Sequence, residues 1–265
     1  PWEVSRQPAQ FSELLQQTGV TVLNQTPSAF YTLSDILLVE QPSLSLRVVI
    51  FGGEALDLSR LQPWVAHYGD AYPQLVNMYG ITETTVHTTY KRLTIADIEV
   101  NLGSVIGRPL ADLQVSIRGA EHESVPMGIV GELCVSGEGL SQGYWRRPEL
   151  SAEKFVTING TERWYCSGDL VRLEQNGELH YLGRLDQQVK LRGFRIKLGE
   201  IAATLALLSA VHRAVVVLQN DSSNAPRLVA YWQEQQTFTV RDDEQLRQHV
   251  LRYLPDYMVP ACFVK

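Results

Sequence analysis

Apolar residues along this chain repeat with one spacing through its first hundred positions, with another in the middle and with a third towards the end, and each spacing admits a different architecture. Phe11, Leu14 and Leu15 recur at helical intervals and stop at Gly19, after which Val20 to Leu23 read as a buried strand. A second helix falls near Phe30 to Leu38, and Val48, Val49, Ile50 and Phe51 make a second buried strand. Gly52 and Gly53 then lead into an amphipathic helix around Leu58 to Val65, and Leu75 to Met78 is a third strand. Helices alternating with short apolar runs predict βα units around a mostly parallel sheet over residues 1–110.

From Leu113 to about Tyr181 the texture changes to short alternating strands punctuated by glycine, as in Gly128 to Leu133, with turn signals such as Gln175-Asn176-Gly177. A β-rich subdomain over residues 111–185 follows, completing a larger first domain of residues 1–185. Beyond Gly183 to Asp186 come a strand at Gln188 to Leu191, a helix from Leu198 to Leu208, strands at Val215 to Leu218 and Leu228 to Trp232, and a helix at Glu244 to Tyr253. That order predicts a small α+β domain over residues 186–265, so the fold class as a whole is α/β with a second, smaller domain.

Composition narrows the function classes. The 23 Lys and Arg residues form no basic stripe and the formal net charge is −6, so nothing favours nucleic acid or an anionic membrane surface, and neither is expected as a partner. No apolar run approaches the ~20 residues that span a bilayer, and the N-terminus lacks a signal peptide's charged and apolar regions, so a cytoplasmic location is expected. Cys134, Cys166 and Cys262 are far apart and unaccompanied by His at metal-ligand spacing; they read as packing residues in a reducing compartment. With Pro1 first and Lys265 last, the chain reads as a fragment.

Three glycine-centred segments carry chemistry. Phe51-Gly52-Gly53-Glu54 follows a buried strand, where ligands sit in open α/β sheets, and glycine there lets backbone approach a ligand closely; an ordinary strand-to-helix turn reads the same way. Asn77-Met78-Tyr79-Gly80-Ile81-Thr82-Glu83-Thr84 packs an aromatic face, a hydroxyl and a carboxylate around one glycine, a set able to stack a base, bond a phosphate and hold Mg²⁺. Trp164-Tyr165-Cys166-Ser167-Gly168-Asp169-Leu170 offers a carboxylate that could accept two ribose hydroxyls or merely form a turn.

Taken in order, these segments resemble the core motifs of the adenylate-forming, AMP-binding superfamily, and specifically nonribosomal peptide synthetase amino acid adenylation domains. The resemblance continues through Gly131 to Phe155, Gly183 to Ile201 and Leu254 to Pro260, so six motifs stand in the family's order along nearly the whole chain. It implies the later part of the family's large domain followed by its small C-terminal domain, cut before the family's catalytic Lys; Lys265 is in the wrong context for that role. The family's phosphate loop and the residues that grip the substrate amino group lie upstream of what this chain contains.

The resemblance also implies roles. Tyr79 would stack on adenine, Asn77 would bond its amino edge and Gly53 would supply backbone to the same base. Thr82 would contact the α-phosphate, Glu83 would ligate Mg²⁺, Asp169 would bind the ribose hydroxyls, Tyr181 would line the nucleotide and Arg184 would sit beside ribose and phosphate. Asp186 matches the hinge about which the small domain turns between two half-reactions, and Gly193 the loop that faces the site in the second. ATP and Mg²⁺ are then required, with a phosphopantetheine arm supplied by a peptidyl carrier protein and neighbouring synthetase modules as partners.

The family's side-chain pocket maps to Asn24, Ile50, Gly52, Met78, Val86 and His87, a set that looks like the one for L-threonine. Ile50, Met78 and Val86 offer apolar surface to a methyl group, Gly52 leaves room, and His87 or Asn24 can bond a β-hydroxyl; serine or another small hydroxylated residue comes next. The chain departs from the family at Ile81, where proline is usual, at Cys166 and Ser167, which replace a basic residue and Thr, and at Lys197, where Glu is common. Two other readings share the motifs: an acyl- or aryl-CoA ligase of the same superfamily, and a catalytically silent interaction fragment.

Overall fold

The computed structural model describes residues 4, 7–101, 103–158, 160, 162–186, 188–220, 225–235 and 242–265. They divide into two compact units, Pro1–Leu185 and Asp186–Lys265.

In the first unit, helix α1 (Pro8–Thr18) begins with proline in its first turn and ends at Gly19, whose left-handed backbone turns its N–H back to the Gln16 and Leu15 carbonyls. That cap uses up the next two residues, so strand β1 (Val22–Gln25) starts later than apolar content alone suggests. Helix α2 (Pro27–Glu40) is capped by the Thr26 side chain and is followed by β2 (Val48–Phe51). The amphipathic stretch after Leu58 is not one helix: a 3₁₀ turn (Leu58–Leu61) gives way to α3 (Gln62–Tyr68), because Pro63 has no N–H to carry an α ladder through. Strand β3 (Gln74–Tyr79) joins β1 and β2 in parallel, with Asn24 beside Ile50 and Ile50 beside Val76. Phe30, Phe51 and Trp64, packed edge to face at 5.0 and 4.9 Å, sit with Leu15, Leu37 and Leu75 in the core beneath these strands.

Parallel pairing stops at β3. The loop to β4 (Thr89–Leu93) spans residues 80–88, shorter than the dozen or so residues of a parallel crossover, so β4 returns antiparallel. Helix α4 (Ile95–Val100), started by a Thr94–Asp97 capping box, leads to β5 (Val105–Pro109), antiparallel to β4. There follow β6 (Leu113–Arg118), β7 (Val130–Gly137), α5 (Pro148–Lys154), β8 (Phe155–Ile158), β9 (Glu162–Leu173) and β10 (Leu179–Arg184). Among the described residues these strands form one ten-stranded sheet in the order β1-β2-β3-β4-β5-β10-β9-β7-β6, with β8 on the side of β9. The expectation of a mostly parallel sheet therefore holds only for β1 to β3, and the glycine-punctuated segment continues the same sheet. A second core, including Ile106, Leu133, Val135, Val171 and Leu179, lies against the antiparallel half.

In the second unit, β11 (Gln188–Leu191) and β12 (Phe194–Lys197) form a hairpin whose two loop residues, Arg192 and Gly193, both have positive φ, at 52° and 79°. Helix α6 (Leu198–Ala206) precedes the long antiparallel pair β13 (Val211–Asn220) and β14 (Pro226–Glu234); α7 (Asp243–Leu251) follows, and β15 (Cys262–Val264) adds in parallel to β14. Ile196, Ile201, Leu205, Ala230, Leu246 and Val250 make its core. No helix among the described residues is long and apolar enough to cross a membrane.

Gly80 fixes how the 80–88 loop closes on β3, since a Cβ there would lie 2.1 Å from the Val86 carbonyl oxygen and 2.7 Å from the His87 Cα, both backbone atoms. Gly80→Ala should destabilise the first unit by about 3 kcal/mol or more. Gly199→Ala, in α6 with nothing within 4 Å of the new methyl, should be neutral or stabilising by about 0.5–1 kcal/mol. Urea unfolding of the two variants checks the contrast.

Candidate functional site

Strand alternation decides which residues of the Asn77–Thr84 segment can meet. Leu75, Asn77 and Tyr79 point to one face of β3, and Val76 and Met78 to the other. Asn77 is buried, and its Nδ2 donates to the Val105 carbonyl on β5 at 2.7 Å. Tyr79 is buried one pleat further on, and its hydroxyl donates to Asp169 Oδ2 on β9. Arg184, at the end of β10, donates from Nη1 to the other carboxylate oxygen, Oδ1, at 2.7 Å. The Arg184 side chain is 4% exposed and that of Asp169 is 0% exposed. Ser167 completes the turn: its Oγ accepts from the Asp169 N–H at 3.0 Å, and its carbonyl accepts from Arg184 Nη2 at 3.2 Å. The Tyr181 ring lies 6.0 Å from that of Tyr79 at a 33° tilt.

The Tyr79–Asp169 bond has a geometric consequence. In sheet order β3 and β9 are four steps apart, about 19 Å in a flat sheet, far beyond the reach of a tyrosine and an aspartate. The sheet must curl so that its parallel and antiparallel halves face each other, and the buried carboxylate sits in the fold of that curl. Burial first, and the Asp169 carboxylate second, push the Tyr79 phenol well above its ordinary pKa, so it stays protonated and donates.

Glu83 belongs to a second polar cluster next to the first. It is buried on a single 3₁₀ turn (Thr82–Thr84), and its Oε1 accepts from the Tyr144 hydroxyl at 2.6 Å and the Tyr165 hydroxyl at 2.9 Å. Burial and the bond to Glu83 hold the Tyr144 phenol above its ordinary range, which keeps it a donor. Tyr165 and Asp169 lie on the same face of β9, so one strand serves both clusters. Tyr144 and Tyr165 were not singled out in the sequence: nothing local distinguishes them, and their partner lies 61 and 82 residues away. The Thr82 side chain beside them is exposed. Ile81 adopts φ −139°, outside what a proline ring permits, and buries its side chain near Phe155 and Tyr165, so here the family's usual proline is replaced by packing.

The pocket residues are brought together in part. Asn24 and Ile50 are register partners on one face of the parallel strands, Asn24 exposed and Ile50 half-buried. A Cβ on Gly52 would meet His87 Cε1 at 3.4 Å and the Met78 carbonyl at 3.5 Å, so the imidazole lies directly over Gly52. His87 Nδ1 is buried with no hydrogen-bond partner among the described residues, and burial lowers the ring's pKa from its ordinary value. The Val86 side chain is turned out, 63% exposed, and offers no such contact with Gly52. Thr85 and Val86 both have positive φ, 58° and 72°, which costs about 1–3 kcal/mol apiece for β-branched residues and concentrates strain beside His87.

Gly53, also at positive φ, is exposed at the start of the loop after β2. In the second unit, Asp186 is exposed and accepts from the Gln188 N–H at 3.1 Å, Gly193 closes the β11–β12 hairpin, Lys197 is exposed, and Lys265 pairs with Glu234. A cavity of about 750 Å³, lined by Met127, Arg172, Asn176 and His180, includes none of the expected site residues.

Asp169→Asn should destabilise the first unit by roughly 3–5 kcal/mol, because it removes a buried charge partner of the Arg184 guanidinium. Tyr79→Phe should cost less, about 1.5–3 kcal/mol, since it removes one bond to the carboxylate and keeps the ring. Denaturant midpoints of the two variants give the order.

Comparison with known proteins places these motifs in context. The AMP-binding enzyme family matches residues 1–145. The dimodular nonribosomal peptide synthase of Bacillus subtilis (strain 168) is 48% identical over 273 residues, covering 100% of this chain and 11% of that protein. The amide bond synthetase McbA from Marinactinospora thermotolerans superposes with a TM-score of 0.84 at 27% identity, over 97% of this chain and 50% of that one. PA1221, a protein containing adenylation and PCP domains, gives 0.82 at 26% identity over 97% and 50%. The chain thus spans about a tenth of the length of the synthase and half that of the two solved structures. On the strength of the family match over residues 1–145, the chain belongs to the AMP-binding enzymes.

Proposed function

We propose that this chain is the later part of an adenylation domain that activates an amino acid, L-threonine by preference, as its aminoacyl adenylate and passes it to the phosphopantetheine arm of a peptidyl carrier protein. The observation that carries this reading is the convergence of Tyr79, Tyr181, Asp169 and Arg184 in one cluster of an AMP-binding enzyme. An aromatic pair, a carboxylate for two hydroxyls and a guanidinium for phosphate are what an adenosine nucleotide requires. In this arrangement both Asp169 oxygens are occupied, so receiving a ribose means that Tyr79 and Arg184 give up or share their bonds to it.

Thr82, exposed on its turn, is available to an α-phosphate oxygen. Glu83 suits Mg²⁺, a hard cation commonly held by one or two carboxylates plus substrate phosphates; the ion would neutralise charge on the phosphates. The Tyr144 and Tyr165 hydroxyls orient that carboxylate by donating to it. Positioning and charge neutralisation then bring an amino-acid carboxylate in line with the α-phosphorus, and pyrophosphate leaves.

Threonine is favoured by the juxtaposition of Gly52, Met78 and His87, together with the His87 Nδ1, which has no partner among the described residues. A β-hydroxyl would satisfy a buried polar atom that an aliphatic analogue would leave unpaired. Asp186, the first residue of the second unit, matches the family's hinge, about which the small domain would turn between half-reactions. The carrier-protein step is supported by the adenylation and PCP architecture of PA1221 and by the synthase relative. A cytoplasmic protein working beside other synthetase modules fits this reading.

The test is amino-acid-dependent pyrophosphate exchange by the intact protein that contains this segment, offered each proteinogenic amino acid. Threonine should give the highest kcat/KM, and exchange with none of them would reject the proposal. His87→Ala should lower kcat/KM for threonine by roughly 10- to 100-fold with a much smaller effect on smaller amino acids. Because burial lowers the His87 pKa, the imidazole is neutral at about pH 7 and above, and threonine selectivity should fall only as pH drops below the ordinary histidine range. The His87→Ala protein should lack that acid limb.

A further inference from the structure

Strand β9 has two faces. Tyr165 and Asp169 bond into the clusters described above; Trp164 and Cys166 point the other way, into a small separate apolar cluster with Cys134. Cys134 on β7 is the register partner of Cys166, and their sulfurs are 3.2 Å apart with both residues buried. Packing alone would explain two buried cysteines. It does not explain what surrounds them. His122 Nδ1 lies 3.9 Å from Cys166 Sγ, and one donor atom each from His122, Glu132 and Cys166 fall within 4.8 Å of one another.

We propose that Cys134, Cys166, His122 and Glu132 form a structural site for a zinc-class divalent cation, separate from the nucleotide cluster. Two thiolates, an imidazole and a carboxylate are a borderline-soft donor set of tetrahedral number. With Zn–S near 2.3 Å and Zn–N or Zn–O near 2.0–2.1 Å, a tetrahedral ion sets its ligand atoms about 3.3–3.8 Å apart, so binding must draw the donors of His122, Glu132 and Cys166 together by about an ångström and turn the Cys134 thiol, which lies outside that group, towards them. Binding exchanges two thiol protons for one M²⁺; two thiolates, one carboxylate and neutral His122 then leave a single negative charge. Arg118 is placed to meet that charge: its guanidinium lies 5.7 Å over the Trp164 ring and donates to the His122 carbonyl at 3.1 Å. The Gly168 N–H donates to a Glu132 carboxylate oxygen at 2.7 Å, the kind of outer contact that orients a metal ligand. His122 is exposed and gives the ion a way in, while the thiols sit behind it. The ion would tie the 119–124 turn to β7 and β9, next to the Gly168–Asp169 backbone.

Cobalt titration of the reduced, chelator-treated full chain tests the site. One Co²⁺ per chain is expected, with thiolate-to-cobalt charge-transfer absorption in the near ultraviolet, tetrahedral d–d bands in the visible, and loss of both on adding Zn²⁺. Cys166→Ser should abolish the signal, and Cys262→Ser should leave it unchanged. His122→Ala, at an exposed position, should weaken binding about 10- to 100-fold. No charge-transfer band, a band that survives loss of both Cys134 and Cys166, or affinity indifferent to His122→Ala would each overturn the proposal.

Discussion

A carboxylate with none of its surface in water is expensive unless every part of it is engaged, and the Asp169 carboxylate is engaged from two other strands at once. Tyr79 comes from the end of β3, Arg184 from the end of β10, and Asp169 itself from β9. Because β3 and β9 are far apart in sheet order, satisfying this one charge requires the sheet to bend back on itself. The same bend gathers Ile106, Leu133, Val135, Val171 and Leu179 into a shared core, so apolar burial and charge pairing favour the same geometry. In the proposed reading, this residue would also receive the ribose, and the contacts that make the site rigid would be the ones a nucleotide must remodel.

The loop after β3 shows how tightly that region is specified. Gly80 admits no side chain, Thr85 and Val86 are held in a backbone region that β-branched residues avoid, and Ile81 buries itself at a φ closed to proline. Such strain persists only where neighbouring contacts impose it. Here they include the Thr88 N–H to the Tyr79 carbonyl at 2.7 Å and the Ser141 N–H to the Glu83 carbonyl at 2.9 Å. The outcome is a fixed platform for Glu83 on one side and for His87 on the other, built from backbone hydrogen bonds more than from side-chain packing.

The candidate site was legible in the sequence to different depths. Tyr79, Glu83 and Asp169 stand out because glycine-centred turns after apolar runs mark strand ends, where ligands gather in α/β sheets. Tyr144 and Tyr165 do not stand out, since an aromatic beside glycine or tryptophan carries no local sign that its hydroxyl will orient a carboxylate. The cysteines are the sharper case. Judged by spacing along the chain they are isolated, yet antiparallel register sets Cys134 opposite Cys166, and the turn before Ser124 delivers a histidine to them. Val86, which the resemblance assigns to the pocket, sits on a left-handed backbone with its side chain exposed, a conformation no local pattern announces.

Local information was sufficient for many of the elements. The helix ending at Gly19 and the strand of Val48 to Phe51 follow from periodicity, turn chemistry and caps among residues a few positions apart. The pairing of strands is not local. Which strand runs antiparallel, how far the sheet curls, which carboxylate is sealed from water and which sulfurs meet depend on contacts dozens of residues apart. Only the closed fold decides these, because only there do the desolvation of a charge and the burial of apolar surface act on the whole chain together.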